Sequence, residues 1–195
     1  YALPQYLGTV AMYYNQDAVE RAGALEPSDD MDWDDFRTLA QKLTVKQGDK
    51  VKQWGFYIFY EIDRVAYWVR QNGGEVMPAN DDTVALLDQP AAINAIQYWA
   101  DFIHRWKVSP TSAQIAGQNL RDAFAAELAA TAADGSWSLA FMLPNTKFEL
   151  GIAHLPKGPV ARSTLANLDG YAIYAGSPNK DAAVRFLKFL VSPQA

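Results

Sequence analysis

Apolar and polar positions alternate with two different periods along the chain, and each period predicts a different kind of element. The run TVAMYYN (9–15) is β-like and ends in Asn15, which can cap the short helix QDAVERAG that Gly23 terminates. The segment MDWDDFRTLAQKLT places Asp32, a carboxylate that favours a helix N-terminus, before an apolar helical face. That face consists of Trp33, Phe36, Leu39, Ala40 and Leu43.

Three further segments have helical periodicity. DRVAYWVRQNGG predicts a helix stopped by Gly73 and Gly74. LDQPAAINAIQYWADFIHRWKVS predicts the longest helix, with Asp88 at the cap and Pro90 in the first turn. Its apolar stripe consists of Ile93, Ile96, Ala100 and Ile103. The last helix, 179–192, has Ser177 and Asn179 as cap candidates and an apolar face of Ala182, Phe186, Phe189 and Leu190.

Strands are predicted between these helices. QWGFYIFY (53–60) is typical of a buried strand, and FELGIAHLP and LDGYAIYAG predict two more. NLRDAFAAELAATAAD predicts a helix in its first half and a buried strand in LAATAAD. Strands that alternate with helices indicate an α/β layer around a central sheet, and the segment 155–167 is predicted to be a linker.

Composition excludes several classes of protein. The 195 residues are half apolar and contain no cysteine, which excludes thiol catalysis, disulfides and cysteine-bound zinc. A net charge of −5, with no basic stripe, argues against nucleic acid as a partner. No run approaches the ~18 consecutive apolar residues of a membrane span.

Signatures of catalysis are weak. His104 and His154 lie in no metal-ligand spacing, GSW lacks the second glycine of GxSxG, and neither a P-loop nor GxGxxG occurs. We therefore expect no catalytic residue, no metal and no cofactor. Glu61 and Asp63 could form the carboxylate pair of a glycoside hydrolase, which remains an alternative.

Aromatic residues beside turns are the stronger signal for a ligand site. Trp137 follows Gly135, Tyr171 follows Gly170, and Tyr60 and Trp68 flank Glu61, Asp63 and Arg64. An indole face can match the C–H face of a pyranose while carboxylates and arginine bind its hydroxyls. The alternative is that these rings belong to the core, to which we assign Trp33, Trp54, Trp99 and Trp106.

Eight segments in order resemble the family 1 extracellular solute-binding proteins of carbohydrate ABC importers. They are LPQYLGTVAMYYNQDAVERAG, DWDDFRTLAQKLT, WGFYIF, QNGG, LDQPAAINAIQYWADFIHRWKVSP, AFAAELAATAADGSW, FELGIAHLPKGP and DGYAIYAGSPNKDAAVRFLKFLVSPQA. In one departure, Glu127 and Leu128 stand where the family usually reads Gly-Lys, so the geometry of that turn is left open.

The resemblance implies an α/β fold of the periplasmic-binding-protein-like type II, in which crossing strands join two lobes around a sugar. It implies a hinge crossing strand at 1–8, the second lobe at 9–157, and the return crossing with an incomplete part of the first lobe at 158–195. The chain opens with YALPQY, without Met, and closes inside a predicted helix. We therefore expect it to be the middle of a longer protein.

The resemblance also implies a non-enzymatic receptor, with a glycoside hydrolase or other carbohydrate-active enzyme as the alternative. Its partners would be a sugar or oligosaccharide and the ABC permease subunits in the membrane. Its location would be periplasmic or extracellular, with a lipid anchor in some hosts. The implied ligand contacts are Trp137, Glu61, Asp63, Arg64, Tyr6, Asp169, Gly170 and Tyr171.

Overall fold

The chain contains seven α-helices and six strands among residues 2–58, 62–115 and 117–194, which the computed structural model describes. The helices are α1 Gln16–Arg21, α2 Trp33–Leu43, α3 Ile62–Gln71, α4 Pro90–His104, α5 Leu120–Ala125, α6 Leu139–Asn145 and α7 Lys180–Leu190. The strands are β1 Leu3–Asn15, β2 Val45–Gln47, β3 Lys50–Gln53, β4 Thr131–Gly135, β5 Leu150–Ala153 and β6 Ala166–Tyr171. They form two compact units, Val10–Leu165 and the residues up to Thr9 with those from Ala166 onward.

The sheet of the larger unit has β1 at its centre. β4 and β5 pair with it from opposite sides, both antiparallel, so that Met12 lies opposite Ala133 and Ala153. β2 and β3 form a separate antiparallel hairpin. The predicted strands around LAATAAD and FELGIAHLP are therefore confirmed as β4 and β5, although each is shorter than its segment.

The predicted strand at 53–60 is not a regular strand over its described residues beyond Gln53, which ends β3. Only isolated parallel bridges form, from Trp54 to Ala129 and from Tyr57 to Ala132. Between them the carbonyl of Gly55 accepts a hydrogen bond from the Thr131 hydroxyl (2.6 Å). This side-chain bond supplements backbone hydrogen bonds that join Trp54 and Tyr57 to the β4 segment, and the residues from Gly55 to Ile58 are buried as predicted. Residues 59 and 60 lie outside the described part of the chain.

Side chains cap the first two helices as the sequence predicts. Asn15 accepts a hydrogen bond from the Ala18 amide (2.8 Å) at the start of α1. Asp32 accepts from the amides of Asp34 and Asp35, and the Asp35 carboxylate accepts from the Asp32 amide in return. This reciprocal capping box satisfies amides that a helix leaves without partners at its N-terminus.

Replacing Asp32 with alanine is expected to lower the free energy of unfolding by about 1 kcal/mol, because the cap bonds to α2 are lost. Gln89 provides a matched control, since it occupies the N-cap of α4 without a side-chain cap bond. Gln89→Ala should change stability by less than about 0.5 kcal/mol. Chemical denaturation of both variants measures the difference, and equal losses would contradict a stabilising cap at Asp32.

α3 and α4 follow the predicted segments, with two corrections. Gly73 ends α3 with φ 78°, as expected of a glycine C-cap, and Pro90 opens α4. The cap of α4 is Gln89 rather than Asp88. The predicted stripe is also partly wrong, because Ile93 is 51% exposed. The buried positions of α4 are Ala92, Ala95, Asp101, Phe102 and Ile103.

The departure from the family pattern at Glu127 keeps a left-handed turn. Glu127 has φ 58°, a conformation that glycine adopts at little cost and other residues rarely adopt. Its carboxylate accepts a hydrogen bond from the Asn15 side chain (3.3 Å) and lies 3.5 Å from the Arg21 guanidinium. The turn after α5 therefore survives without the glycine, and the side chain contributes contacts that glycine lacks.

Aromatic rings fill the core of the larger unit. Phe36 packs against Phe56, Trp68 and Phe102, with ring centroids 4.9 to 6.4 Å apart. Trp33 is buried as predicted, and Trp54, Trp99 and Trp106 are partly buried against the apolar clusters. Trp68, considered above as a ring near the ligand loop, is 1% exposed and belongs to this core.

The smaller unit combines a strand pair with one helix. β6 pairs antiparallel with the first part of β1, and α7 follows. β6 stops at Tyr171, so the predicted strand does not extend into AIYAG. Asn179 is the N-cap of α7, without a side-chain cap bond, and none of the helix is buried. Among the described residues of the whole chain, no helix is long and apolar enough to cross a membrane.

Candidate functional site

Trp137 lies in a tight turn at the end of a fully buried strand. β4 ends at Gly135, which is the N-cap of a short 3-10 helix, Ser136–Ser138, and α6 begins at once afterwards. The indole is half-buried and packs against the apolar core, so one part of the ring is held and another part is accessible. The turn therefore places the ring at the end of β4.

Gly135 makes room for the indole. A Cβ atom at this position would lie 2.1 Å from ring atoms of Trp137, closer than any side chain could approach. The hydroxyl of Tyr13 donates a hydrogen bond to the Gly135 carbonyl (3.1 Å) and holds the turn from the neighbouring strand. Burial, reinforced by the nearby Asp134 carboxylate, raises the pKa of Tyr13 to about 12, so this donor keeps its proton at neutral pH.

A fully buried carboxylate lies at the base of the same turn. Asp134 is 0% exposed, and its Oδ1 accepts a hydrogen bond from the Gly135 amide (2.7 Å). Its Oδ2 accepts from the Ser138 hydroxyl (2.6 Å) and from Nε of Arg121 (2.9 Å). Arg121 Nε also lies 2.8 Å from the Ser138 hydroxyl. Burial of a charge in this way requires such partners.

Arg64 connects this carboxylate to the indole. Its side chain comes from the first turn of α3, and the residue is 4% exposed. Nη2 of Arg64 lies 3.6 Å from Oδ1 of Asp134, and Nε lies 3.7 Å from Oδ2 of Asp63. The guanidinium carbon is 5.5 Å from the centroid of the Trp137 ring, within the range of a cation–π contact.

Three of the four predicted contacts of the larger unit are thus placed together. Trp137, Arg64 and Asp63 form one chain of contacts, and the Asp63 carboxylate is partly exposed. Glu61 and Tyr60 lie outside the described residues. Whether these side chains contact a ligand remains a prediction.

The remaining predicted contacts lie on the strand pair of the smaller unit. Tyr6 lies opposite Asp169, while Gly170 and Tyr171 lie opposite Pro4 and Leu3. A hydrogen bond with the Asp169 carboxylate raises the pKa of Tyr6 above its ordinary value. Tyr6 and Asp169 are both exposed, so a phenol and a carboxylate stand side by side on the surface of this pair.

The two histidines have separate surroundings. Nδ1 of His154 lies 3.0 Å from an Asp29 carboxylate oxygen and 2.9 Å from a guanidinium nitrogen of Arg162. His104 closes α4 on the surface. Within the described ranges, no three histidine, cysteine, aspartate or glutamate side chains group closely enough to hold a metal ion.

The sequence did not predict the polar residues that hold this turn, which are Asp134, Arg121 and Ser138. Each is a common residue type in a segment with no unusual pattern. One local signal existed: in DGSWS, a carboxylate and a hydroxyl four residues apart flank the aromatic residue. Arg121 and Arg64 are distant in sequence, so only folding brings them to that carboxylate.

Comparison with known proteins agrees with this architecture. A family model for the bacterial extracellular solute-binding proteins matches residues 1–195. A curated relative from Brucella abortus, named as a binding protein, is 29% identical over 198 residues, which cover 97% of this chain and 46% of the relative. The chain thus spans about half the length of the curated relatives it matches.

Solved structures show the same fold. An ABC substrate-binding protein of Listeria monocytogenes in complex with cycloalternan is 24% identical, with a TM-score of 0.90 over 99% of this chain and 48% of its own. The GacH receptor of Streptomyces glaucescens, solved unliganded and with acarbose, is 26% identical, with a TM-score of 0.82 over 98% and 48%. The fold is therefore α/β and periplasmic-binding-protein-like, and the chain belongs to the bacterial extracellular solute-binding protein family.

Proposed function

We propose that this chain is part of the substrate-binding component of an ABC importer, which captures a sugar or oligosaccharide and delivers it to a membrane permease. The observation that carries the proposal is the placement of Trp137, held half-buried at a strand end by Gly135 beneath it and Arg64 beside it. Ligands of open α/β sheets bind at strand ends, where side chains of several elements converge.

The chemistry of this surface suits a saccharide. A partly accessible indole offers a flat apolar face at low conformational cost, and the C–H face of a pyranose is its natural complement. The partly exposed carboxylate of Asp63 can accept hydrogen bonds from sugar hydroxyls. Relatives of the same fold were solved with carbohydrate ligands, which supports the same ligand class here.

We assign residues 1–8 to a hinge crossing strand, 9–157 to the second lobe of a type II binding protein, and 158–195 to the return crossing and the beginning of the first lobe's C-terminal part. Exposed side chains of the crossing pair, Tyr6 and Asp169, would add contacts to the ligand, with Gly170 and Tyr171 beside them. Binding would favour a closed state reached by a hinge rotation, with the dihedral changes absorbed by the crossing strands.

Membership of a family of extracellular proteins supports a location outside the cytoplasm for this protein. We place the protein in the periplasm or at the cell exterior, where a receptor can present its ligand to permease subunits. The closed form would be the state that the permease recognises. No covalent chemistry is required for this role.

A screen of saccharides by thermal shift on the full-length protein, followed by calorimetry of each hit, tests the proposal. We expect at least one mono- or oligosaccharide to bind saturably and to raise the melting temperature, because a ligand that binds only the folded state stabilises it. Absence of any saccharide ligand across the screen would overturn the proposed function.

The alternative function is a glycoside hydrolase, for which Glu61 and Asp63 are the candidate carboxylate pair. Incubation of the protein with each saccharide that binds, followed by chromatography of the products, separates the two functions. We expect the saccharide to be recovered intact. Release of shorter sugars at a rate above that of a heat-inactivated control would favour the enzyme.

Replacing Asp169 with asparagine is expected to weaken saccharide binding by about 1 to 3 kcal/mol, because a charged acceptor for hydroxyl protons is lost. Asp181, exposed in the first turn of α7, provides a control in the same unit. Asp181→Asn should leave the affinity unchanged. Calorimetry measures the dissociation constant of the saccharide for both variants. Wild-type affinity in Asp169→Asn would show that Asp169 does not contact the ligand.

A further inference from the structure

We propose that Asp134 and Arg64 are positioning residues, which fix the orientation of the Trp137 ring without themselves carrying the ligand. This inference rests on the proposed function in one respect, that Trp137 is a ligand contact. The link from Asp134 through Arg64 to the ring cannot be read from the sequence pattern, because the two residues are far apart in the chain. The geometry of the turn carries the argument.

The Asp134 carboxylate spans the turn that presents the ring. One oxygen accepts from the amide of Gly135 and the other from the hydroxyl of Ser138, so the carboxylate holds residues on both sides of Trp137. Arg121 reaches the second oxygen from α5 and also lies within hydrogen-bond distance of Ser138. The backbone path into and out of Trp137 is therefore tied to a single buried group.

Arg64 extends the same control to the side chain. Its guanidinium lies 3.6 Å from the Asp134 carboxylate and 5.5 Å from the ring centroid, so one rigid plane contacts both. Because the side chain of Arg64 is only 5% exposed, it offers a ligand almost no surface. Under this proposal Arg64 acts through Trp137, in place of the direct ligand contact that the family resemblance implies.

The energetics of a buried ion pair indicate that Asp134 and Arg64 orient the Trp137 ring rather than stabilise the fold. A buried ion pair gains little net stability compared with apolar residues of similar size, since removing both charges from water offsets their attraction. Arg121 would still pair with Asp134 if Arg64 were replaced by a residue without charge. Arg64 can thus be changed without leaving a buried carboxylate unpaired.

The test uses Arg64→Met in the full-length protein labelled with 5-fluorotryptophan. The chain has six tryptophans, and loss of one fluorine resonance in Trp137→Phe assigns the signal of Trp137. Arg70→Met is the matched control, because Arg70 lies on the same helix with an exposed side chain paired to Glu75. The readout needs no ligand.

We expect Arg64→Met to retain a melting temperature close to wild type while the Trp137 resonance shifts or broadens and the others stay in place. The dissociation constant of any saccharide found in the screen should rise about tenfold, since a misoriented ring loses part of its contact. Arg70→Met should change neither the resonance nor the affinity. Arg64→Lys, which keeps the charge but not the planar fork, should give an intermediate resonance position.

Each outcome decides one claim. An unchanged Trp137 resonance in both Arg64 variants would overturn the positioning role, even if saccharides bind normally. A shifted resonance together with unchanged saccharide affinity would also overturn it, because the ring orientation would then not matter for binding. If no saccharide binds the wild-type protein, the proposed function fails, and broadening of the Trp137 resonance in both Arg64 variants would then still show that Arg64 restrains the ring.

Discussion

Alanine in place of Trp137 is expected to weaken saccharide binding by about 2 kcal/mol or more, roughly thirtyfold in the dissociation constant, while the protein stays folded. Large aromatic anchors carry a disproportionate share of binding energy, and this ring is partly accessible at a strand end. Its removal also abolishes the contact with the Arg64 guanidinium. Isothermal titration calorimetry on the full-length variant measures the loss.

Tyr174→Ala controls for a nonspecific effect of losing an aromatic side chain, because this ring is exposed and lies outside the predicted site. It should bind saccharides as wild type does. If Trp137→Ala keeps its affinity and instead lowers the melting temperature strongly, the ring belongs to the core and the proposed site is wrong. Circular dichroism of each variant establishes that the comparison is between folded proteins.

Replacing Asp134 with alanine should lower the free energy of unfolding by about 3 to 5 kcal/mol, because the buried Arg64 guanidinium loses the nearer of its two carboxylate neighbours and Arg121 loses its partner at 2.9 Å. The Ser138 hydroxyl and the Gly135 amide lose their acceptor at the same time. Denaturation followed by circular dichroism measures the change. This is the largest stability effect we expect from any single substitution near the site.

The surface pair of Arg70 and Glu75 provides the comparison, because its charges are similar but exposed. Glu75→Ala should cost less than about 1 kcal/mol. Adding Arg64→Met to Asp134→Ala should restore part of the lost stability, since the buried guanidinium that has lost the Asp134 carboxylate is then removed as well. A loss below about 1 kcal/mol in Asp134→Ala, or no recovery in the double variant, would contradict the buried-charge explanation.

Some of the fold follows from local sequence because its causes are local. The caps at Asn15 and Asp32 are bonds between residues two or three apart, and the glycine stop at Gly73 depends on one dihedral angle. Patterns of this range can be read without knowing the rest of the molecule. The helix starts and stops there were predicted and are confirmed.

The buried face of α4 was predicted partly wrongly, because this helix has apolar residues on more than one face. Pattern alone favoured the face with the larger side chains, including Ile93. The folded chain instead buries Ala92 and Ala95, and a Cβ atom added at Gly74 would lie 3.2 Å from the backbone nitrogen of Ala92, so the chain approaches α4 closely at this point. Small residues at such close approaches contribute weakly to any hydrophobic pattern, so the pattern selected the wrong stripe.

The sequence by itself determined the α/β class, the caps at Asn15 and Asp32, the burial of β4 and the family resemblance, because each depends on residue order and short-range periodicity. Tertiary structure alone decided that Trp68 is buried in the core while Trp137 is only partly buried, because burial depends on which elements pack around each ring. It also decided that Asp134 contacts Arg64 and Arg121, which lie on two different helices. Arg64 is 70 residues and Arg121 is 13 residues before Asp134 in the sequence. Contacts between residues so far apart are set by how the helices pack on the sheet, and no local pattern records them.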